Sequence, residues 1–277
     1  MFGVMKLRVV SLFKMAHNGK VLYAVAEIET LNYQIMMNLN TSTEAPNTTE
    51  TAIGFIPCYR LPFLSLFHAD CMDIMKQYPD KYFDLAIVDP PYGLDDWNER
   101  GINKKTMDKK HMNLKKIQNF EAKAPQKEYF NELFRVSKNQ IIWGGNHFLD
   151  YLGKTKQIIV WDKTIRGMHF NDCEIAWASN IKEACRIFTQ SANDINRIHP
   201  TQKPVNLYDW LLHNYTKENA KILDTHFGSG SIALAVDKAN RLDKMNLHLT
   251  ACEIDKEYID KAIKRISESI KQCTLSF

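Results

Sequence analysis

From Leu64 onward, short apolar runs alternate with longer amphipathic stretches, and that alternation admits few architectures. Candidate strands lie at 64–68 (LSLFH), 83–88 (FDLAIV), 140–144 (QIIWG), 157–161 (QIIVW), 174–178 (EIAWA), 221–224 (KILD) and 247–252 (LHLTAC). Candidate helices lie between them. The segment 126–137 places Tyr129, Phe130, Leu133 and Phe134 on one face, 204–215 begins at a proline suited to a first turn, and 255–271 carries Tyr258, Ile259, Ala262, Ile263 and Ile266 at helical spacing. The run 82–88 is apolar on both parities but for Asp84, as in a strand covered on both faces. The pattern predicts an α/β fold: a doubly wound, mostly parallel, seven-stranded Rossmann-like sheet.

Residues 7–29 read differently. Two β-rich runs flank Asn18-Gly19, the pair best suited to the positive φ angles of a tight hairpin, and a Thr/Asn-rich stretch at 38–52 reads as a linker. The expected organisation is a small β-rich appendage over 1–55 and a catalytic-type domain over 56–277. With 277 residues, 45% hydrophobic and 25% charged, the chain can bury one large core, and fibrous or disordered classes are excluded. The six cysteines show no two-residue spacing, so no zinc ribbon or redox pair is expected, and no metal site. No apolar stretch approaches membrane-spanning length and the N-terminus lacks a convincing leader, so the expected location is the cytoplasm. Formal charge is only +4, but residues 100–127 hold one Arg and eight Lys against one Asp and one Glu, a local +7. A solvated loop is the ordinary explanation of such a run, and contact with nucleic acid is the sharper one.

Two segments carry chemistry. In VDPPYG (88–93), Asp89 stands at the C-terminal end of a strand. Pro90 and Pro91 fix φ and remove two N–H donors, leaving carbonyl oxygens to accept, and Tyr92 adds an aromatic face. An acceptor, a rigid carbonyl and a ring suit a planar ligand bearing an amino group. In KILDTHFGSGSIALAV (221–236), a strand ends at Asp224, a loop holds Gly228 and Gly230, and a helix follows, the arrangement of a nucleotide-type cofactor turn. Glu253, at the end of the next strand, could accept bonds from ribose hydroxyls or be only a surface acid.

DPPYG, HPTQKPVNL (199–207), DTHFGSG and ACEID together resemble the amino-group DNA methyltransferases, which move a methyl group from S-adenosylmethionine to N6 of adenine or N4 of cytosine. The order, catalytic motif first and cofactor loop last, is similar to the circularly permuted β class, and the likeness spans roughly 65–270. The resemblance implies that Asp89 and the Pro90 carbonyl, supported by Pro91, hold the target amino group while Tyr92 stacks on the base. It implies cofactor contacts from Asp70, Thr201, Gln202, Lys203, Asp224, Phe227, Gly228, Gly230 and Glu253, with Thr201, Gln202 and Lys203 near the methionyl end. One departure stands out: where family members often have Pro-Phe after the first Asp of the cofactor loop, this chain has Thr225-His226.

The implied activity is N6-adenine methylation of double-stranded DNA after base flipping, because the family's cytosine members more often carry Ser at the position of Asp89. N4-cytosine methylation and a catalytically silent DNA-binding partner are the alternatives. Lys104, Lys105, Lys109 and Lys110, in the lysine-rich loop 94–127, are the expected DNA contacts, since only twenty residues (179–198) separate the last strand before HPTQKPV from that motif. A homodimer and a companion restriction enzyme stay open as partners. His199 and His226 are expected to be hydrogen-bonded structural residues, and Trp143, Trp161, Trp177 and Trp210 to pack in the core.

Overall fold

The structure, a computed structural model, describes residues 9–17, 20–28, 55–93, 124–167, 171–179, 181–191, 198–199 and 201–275. The expected linker at 38–52 and all four proposed DNA-contacting lysines lie outside these residues. Two compact units are present, Met1–Glu50 and Thr51–Phe277. In the first, β1 (Val9–His17) and β2 (Lys20–Ile28) pair antiparallel, with His17 opposite Lys20.

The second unit is built on a nine-stranded sheet. Its strands are β3 (Tyr59–Leu61), β4 (Leu64–His68), β5 (Phe83–Val88), β6 (Ser137–Trp143), β7 (Gln157–Asp162), β8 (Cys173–Ala178), β9 (Arg186–Thr189), β10 (Lys221–Asp224) and β11 (His248–Glu253). The spatial order is β3-β4-β11-β10-β5-β6-β8-β7-β9. All seven expected strands are present, and two more correct the count. Both additions sit at sheet edges: β3 has three residues, and β9 has four, of which three are exposed. Neither is long enough, or buried enough, to leave a period in the sequence.

The strands β4, β11, β10, β5 and β6 run parallel, whereas β8 is antiparallel to both β6 and β7. The helices are α1 (Cys71–Met75), α2 (Lys127–Val136), α3 (Leu149–Leu152), α4 (Val205–Tyr215), α5 (Ser231–Asp243) and α6 (Lys256–Leu275). Successive side chains of a strand point to opposite faces, so β5 supplies both layers of core. Leu85 and Ile87 pack with Leu207, Leu211, Val236 and Ile266 of α4, α5 and α6. Ala86 and Val88, joined by Phe83 at the first position of the strand, pack with Ile74, Phe130, Leu133 and Leu152 of α1, α2 and α3. Burying a side chain such as Phe83 or Leu85 contributes roughly 1.5–3 kcal/mol, which is why the near-continuous apolar run was legible.

The site follows from one feature of this order. After β5 the chain moves to β6 on one side, and after β10 it moves to β11 on the other, while β5 and β10 are themselves neighbours. A crevice opens where strand order reverses, beyond the carboxyl ends of these two strands. Asp89 follows one and Asp224 ends the other.

Candidate active site

Asp89 is held from two sides. Its Oδ1 accepts a hydrogen bond from the Tyr92 hydroxyl at 2.7 Å, and its Oδ2 receives the ammonium of Lys203. Lys203 also reaches Glu174 Oε2 at 3.1 Å, and Glu174 Oε1 receives Lys163 Nζ at 2.7 Å. The four groups form a row of alternating charge. The Lys203 side chain is only 2% exposed. Burial alone would lower its pKa, but the carboxylates of Asp89 and Glu174 outweigh burial and hold it above the usual lysine range. Glu174 behaves as the mirror image: burial acts to raise its pKa, and Lys203 and Lys163 bring it below the usual carboxylate range. Trp143 and Trp161, buried in the core as expected, also lie under the ammoniums of Lys203 and Lys163, at 5.2 and 5.3 Å from the ring centroids.

Tyr92 lies folded inward. Its ring is parallel to that of His147, with centroids 4.9 Å apart and 12° between planes, and meets Phe148 edge-on. His147 stands in a short 3-10 turn, Gly145–His147, directly after β6. The space for the Tyr92 ring exists because residue 144 is glycine: at φ +65 a Cβ would lie 2.1 Å from a ring carbon. Burial and the adjacent Asp89 charge push the Tyr92 phenol far up, so it stays a hydrogen-bond donor.

The second half of the crevice is the turn after β10. Gly230 takes φ +70 as the residue before α5, and a Cβ there would press on Phe227 and Ile266 at 3.1–3.2 Å. Phe227 is buried, and its N–H donates to the Cys252 carbonyl of β11. Glu253 accepts from the backbone N–H groups of Gly228, Ile254 and Asp255 at 2.9–3.0 Å. A carboxylate has about four acceptor positions, so one remains on Oε2 for a ligand. Burial raises the pKa of Glu253 against those backbone donors. Asp224 accepts from the His226 N–H at 3.0 Å, and burial, with the charges of Asp89 and Glu253 added, pushes its pKa up to about 8. Asp70, two residues beyond β4, caps α1 by accepting from the Met72 N–H at 2.7 Å.

The 198–204 segment touches both halves. His199 lies beside Gly228, whose built Cβ would be 3.6 Å from the imidazole, and packs on Tyr258 at 4.4 Å between centroids. Burial pushes its pKa down to about 4. Thr201 bonds to His199 Nδ1 through both its N–H and hydroxyl, and the Gln202 side chain accepts from the Ile198 N–H, so both brace the turn. Lys203, the third residue of that expected group, has its ammonium on Asp89 and Glu174. The unusual Thr225-His226 pair is built into the core: Thr225 Oγ1 bonds to the Tyr129 hydroxyl at 2.7 Å and to His226 Nδ1 at 2.9 Å, and the Tyr129 ring meets His226 edge-on. Among the described residues no cluster of three potential metal-ligating side chains occurs.

The structure thus brings Asp89, Pro90, Tyr92 and Lys203 to the turn bearing Asp224, Gly228 and Gly230. Sequence reading passed over Glu174, Lys163 and His147. The signal available for Glu174 was a charge in a strand at the parity of Ala176 and Ala178, which face the core.

Residues 102–264 match the family described as DNA methylase, N6_N4_Mtase, which is more than half of the chain. The type II methyltransferase M2.LlaDCHI of Lactococcus lactis subsp. cremoris is 24% identical over 254 residues, covering 76% of this chain and 92% of that protein. The type II methyltransferase M2.MboI of Moraxella bovis is 26% identical over 218 residues, covering 62% of this chain and 78% of that protein. The solved structure of PvuII DNA methyltransferase (cytosine-N4-specific) superposes with a TM-score of 0.51 at 13% identity, covering 76% of this chain and 88% of that one, a likeness of fold. With its aspartate-proline-proline-tyrosine turn ahead of its glycine loop, the chain belongs to the N6/N4 DNA methylase family, in the β-class arrangement.

Proposed function

We propose that this protein transfers the methyl group of S-adenosylmethionine to the N6 amino group of an adenine flipped out of double-stranded DNA. The observation that carries this reading is the adjacency of β5 and β10, whose ends place the Asp89 turn beside the glycine turn. Two ligands bound at those turns meet along one rim.

The residues fit a cationic cofactor. Asp70, Glu253, Asp224 and Asp89 follow or end four neighbouring parallel strands, and the rise of Asp224 to about 8 reflects burial together with negative charge from Asp89 and Glu253. A bound sulfonium offsets that repulsion. Asp70, Phe227, Gly228, Gly230, Asp224 and the remaining acceptor position of Glu253 would hold it, with Thr201 and Gln202 bracing the turn alongside. When bound, S-adenosylmethionine supplies an electrophilic methyl group.

The chain's own residues prepare the nucleophile. An exocyclic amine is weakly nucleophilic because its lone pair is delocalised into the ring. Asp89 and the Pro90 carbonyl accept its two hydrogens, favouring tetrahedral nitrogen and exposing the lone pair. Asp89 then takes the released proton, a role typically worth about 10²- to 10⁴-fold, whereas alignment of the reacting atoms contributes roughly 7–11 kcal/mol. Extruding the base costs a few kcal/mol, and stacking on Tyr92 at about 1–3 kcal/mol offsets part of it. Aspartate rather than serine at position 89 favours adenine over cytosine. The lysine-rich segment 94–127 supplies phosphate contacts.

The test is incubation of the full chain with tritiated S-adenosylmethionine and mixed-sequence duplex DNA, followed by nucleoside separation. Label in N6-methyladenine is expected, and its loss in Asp89→Ala with cofactor binding retained by calorimetry. Label in cytosine alone would replace the adenine reading with the N4 one, and no label in DNA would overturn both.

A further inference from the structure

Glu174 belongs to none of the segments that mark the family, yet it is joined to Asp89 by a single intervening side chain. It stands on β8, opposite Trp161 of β7, with a side chain 20% exposed, and its two oxygens are divided between Lys203 and Lys163. The Lys203 ammonium in turn bonds to both Asp89 and Glu174, and lies nearer Asp89. A lysine buried against one carboxylate alone would neutralise it and compete with an incoming amino group for its lone pairs. A lysine shared by two carboxylates is held by both and given wholly to neither.

We infer that Glu174 is a positioning residue for methyl transfer: by retaining the Lys203 ammonium between two carboxylates it keeps Asp89 available to the target amino group, with Lys163 as its counter-charge. The inference deepens the methyl-transfer reading and rests on it. Other ionisable groups face the same space. Tyr92 donates to Asp89 from its own turn, Tyr208 approaches from α4, Asp224 from the end of β10, and His226 and His199 from the neighbouring loops. Both histidines are pushed by burial to about 4 and stay neutral near pH 7, so they cannot take over the role of Lys203. Asp224, at about 8, titrates in the working range, so a shift must be assigned by comparing variants of opposite charge effect.

The charges make opposite predictions. Glu174→Gln removes a negative charge and leaves Asp89 as the one carboxylate of the row on Lys203. The acid limb of the single-turnover rate should move toward lower pH, by roughly one unit for one charge of the row, and the plateau rate should fall. Lys163→Met removes a positive charge, tightens Glu174 on Lys203, and should move the same limb toward higher pH. A merely structural role lowers the rate in both variants without opposite displacement, and that result would overturn the inference. Nitrogen NMR of the Lys203 ammonium in the cofactor-free full chain supplies a readout independent of activity: its pKa should fall in Glu174→Gln, which loses one of its two carboxylates, and an unchanged value would also overturn the inference. If Glu174→Gln does not fold, the direction of the Lys163→Met displacement decides. A wild-type chain that labels no DNA would overturn the methyl-transfer reading itself, while the NMR titration would still report the sharing of Lys203.

Discussion

Tyr92 and His147 stack face to face, 4.9 Å apart and 12° from parallel, so one side of the ring proposed to receive a flipped base is already covered. An incoming base therefore adds to the free side of a two-ring stack or displaces the imidazole. Tyr92→Ala should weaken extrusion by about 1–3 kcal/mol, the worth of a base-aromatic stack. His147→Ala should cost less, about 0.5–1.5 kcal/mol, because it removes only the support beneath that ring. The fluorescence of 2-aminopurine at the target position reports the flipped population. An effect of His147→Ala larger than that of Tyr92→Ala would show that the imidazole, not the phenol, is the stacking surface.

Asp224 should make stability fall with rising pH. Burial raises its pKa from an ordinary 3.8 to about 8, so between those values the folded chain binds a proton that the unfolded chain has released. Unfolding then releases protons, and this contribution is present below about pH 4, lost progressively as pH rises, and gone above about 8. Asp224→Asn should flatten the decline in urea midpoint between pH 5.5 and 8.5. Parallel pH profiles in the two proteins would mean that Asp224 is not the group responsible. Binding a sulfonium cofactor near pH 7 should also expel a proton, visible as a dependence of calorimetric heat on buffer ionisation enthalpy.

Gly144 should tolerate no side chain. At φ +65 any other residue is strained, and the added Cβ would meet the Tyr92 ring at 2.1 Å. The two costs together suggest a loss of roughly 2–4 kcal/mol for Gly144→Ala in denaturant melts. Tyr92→Ala in the same background should recover the part due to the collision. No recovery would place the cost in the backbone alone.

The lysine-rich segment should govern salt dependence. Replacing Lys104, Lys105, Lys109 and Lys110 with Gln removes up to four phosphate contacts, each contributing about 0.9 to the slope of log affinity against log salt. The slope should become shallower by roughly 2–4, with little change in cofactor affinity. An unchanged slope would move the DNA-contacting surface elsewhere.

Much of this was legible in one dimension. The seven inner strands of the sheet, the four longer helices and the acceptor-bearing turns were readable because a strand buried on both faces must be apolar at nearly every position, and because proline and glycine constrain the backbone locally. The two edge strands were not readable, since three or four residues with exposed positions carry no period. Asp70 shows a limit of another kind: its N-cap bond to Met72 was foreseeable from chain neighbours alone, while the pairing of the strand before it with the one that ends at Glu253 was not.

The linear order of residues determined the α/β class, the permuted order of the motifs and the identities of Asp89, Tyr92, Gly228 and Gly230, because each rests on local backbone chemistry or on hydrophobic period. Only the tertiary structure decided which charges meet. Lys203 is separated by 114 positions in the chain from Asp89, and Glu174 on β8 and Lys163 just after β7 belong to no motif at all, yet sheet order puts all four in one largely buried row. Charge pairing in a buried site depends on distance through space, and sequence separation carries no information about that distance until the strands have paired.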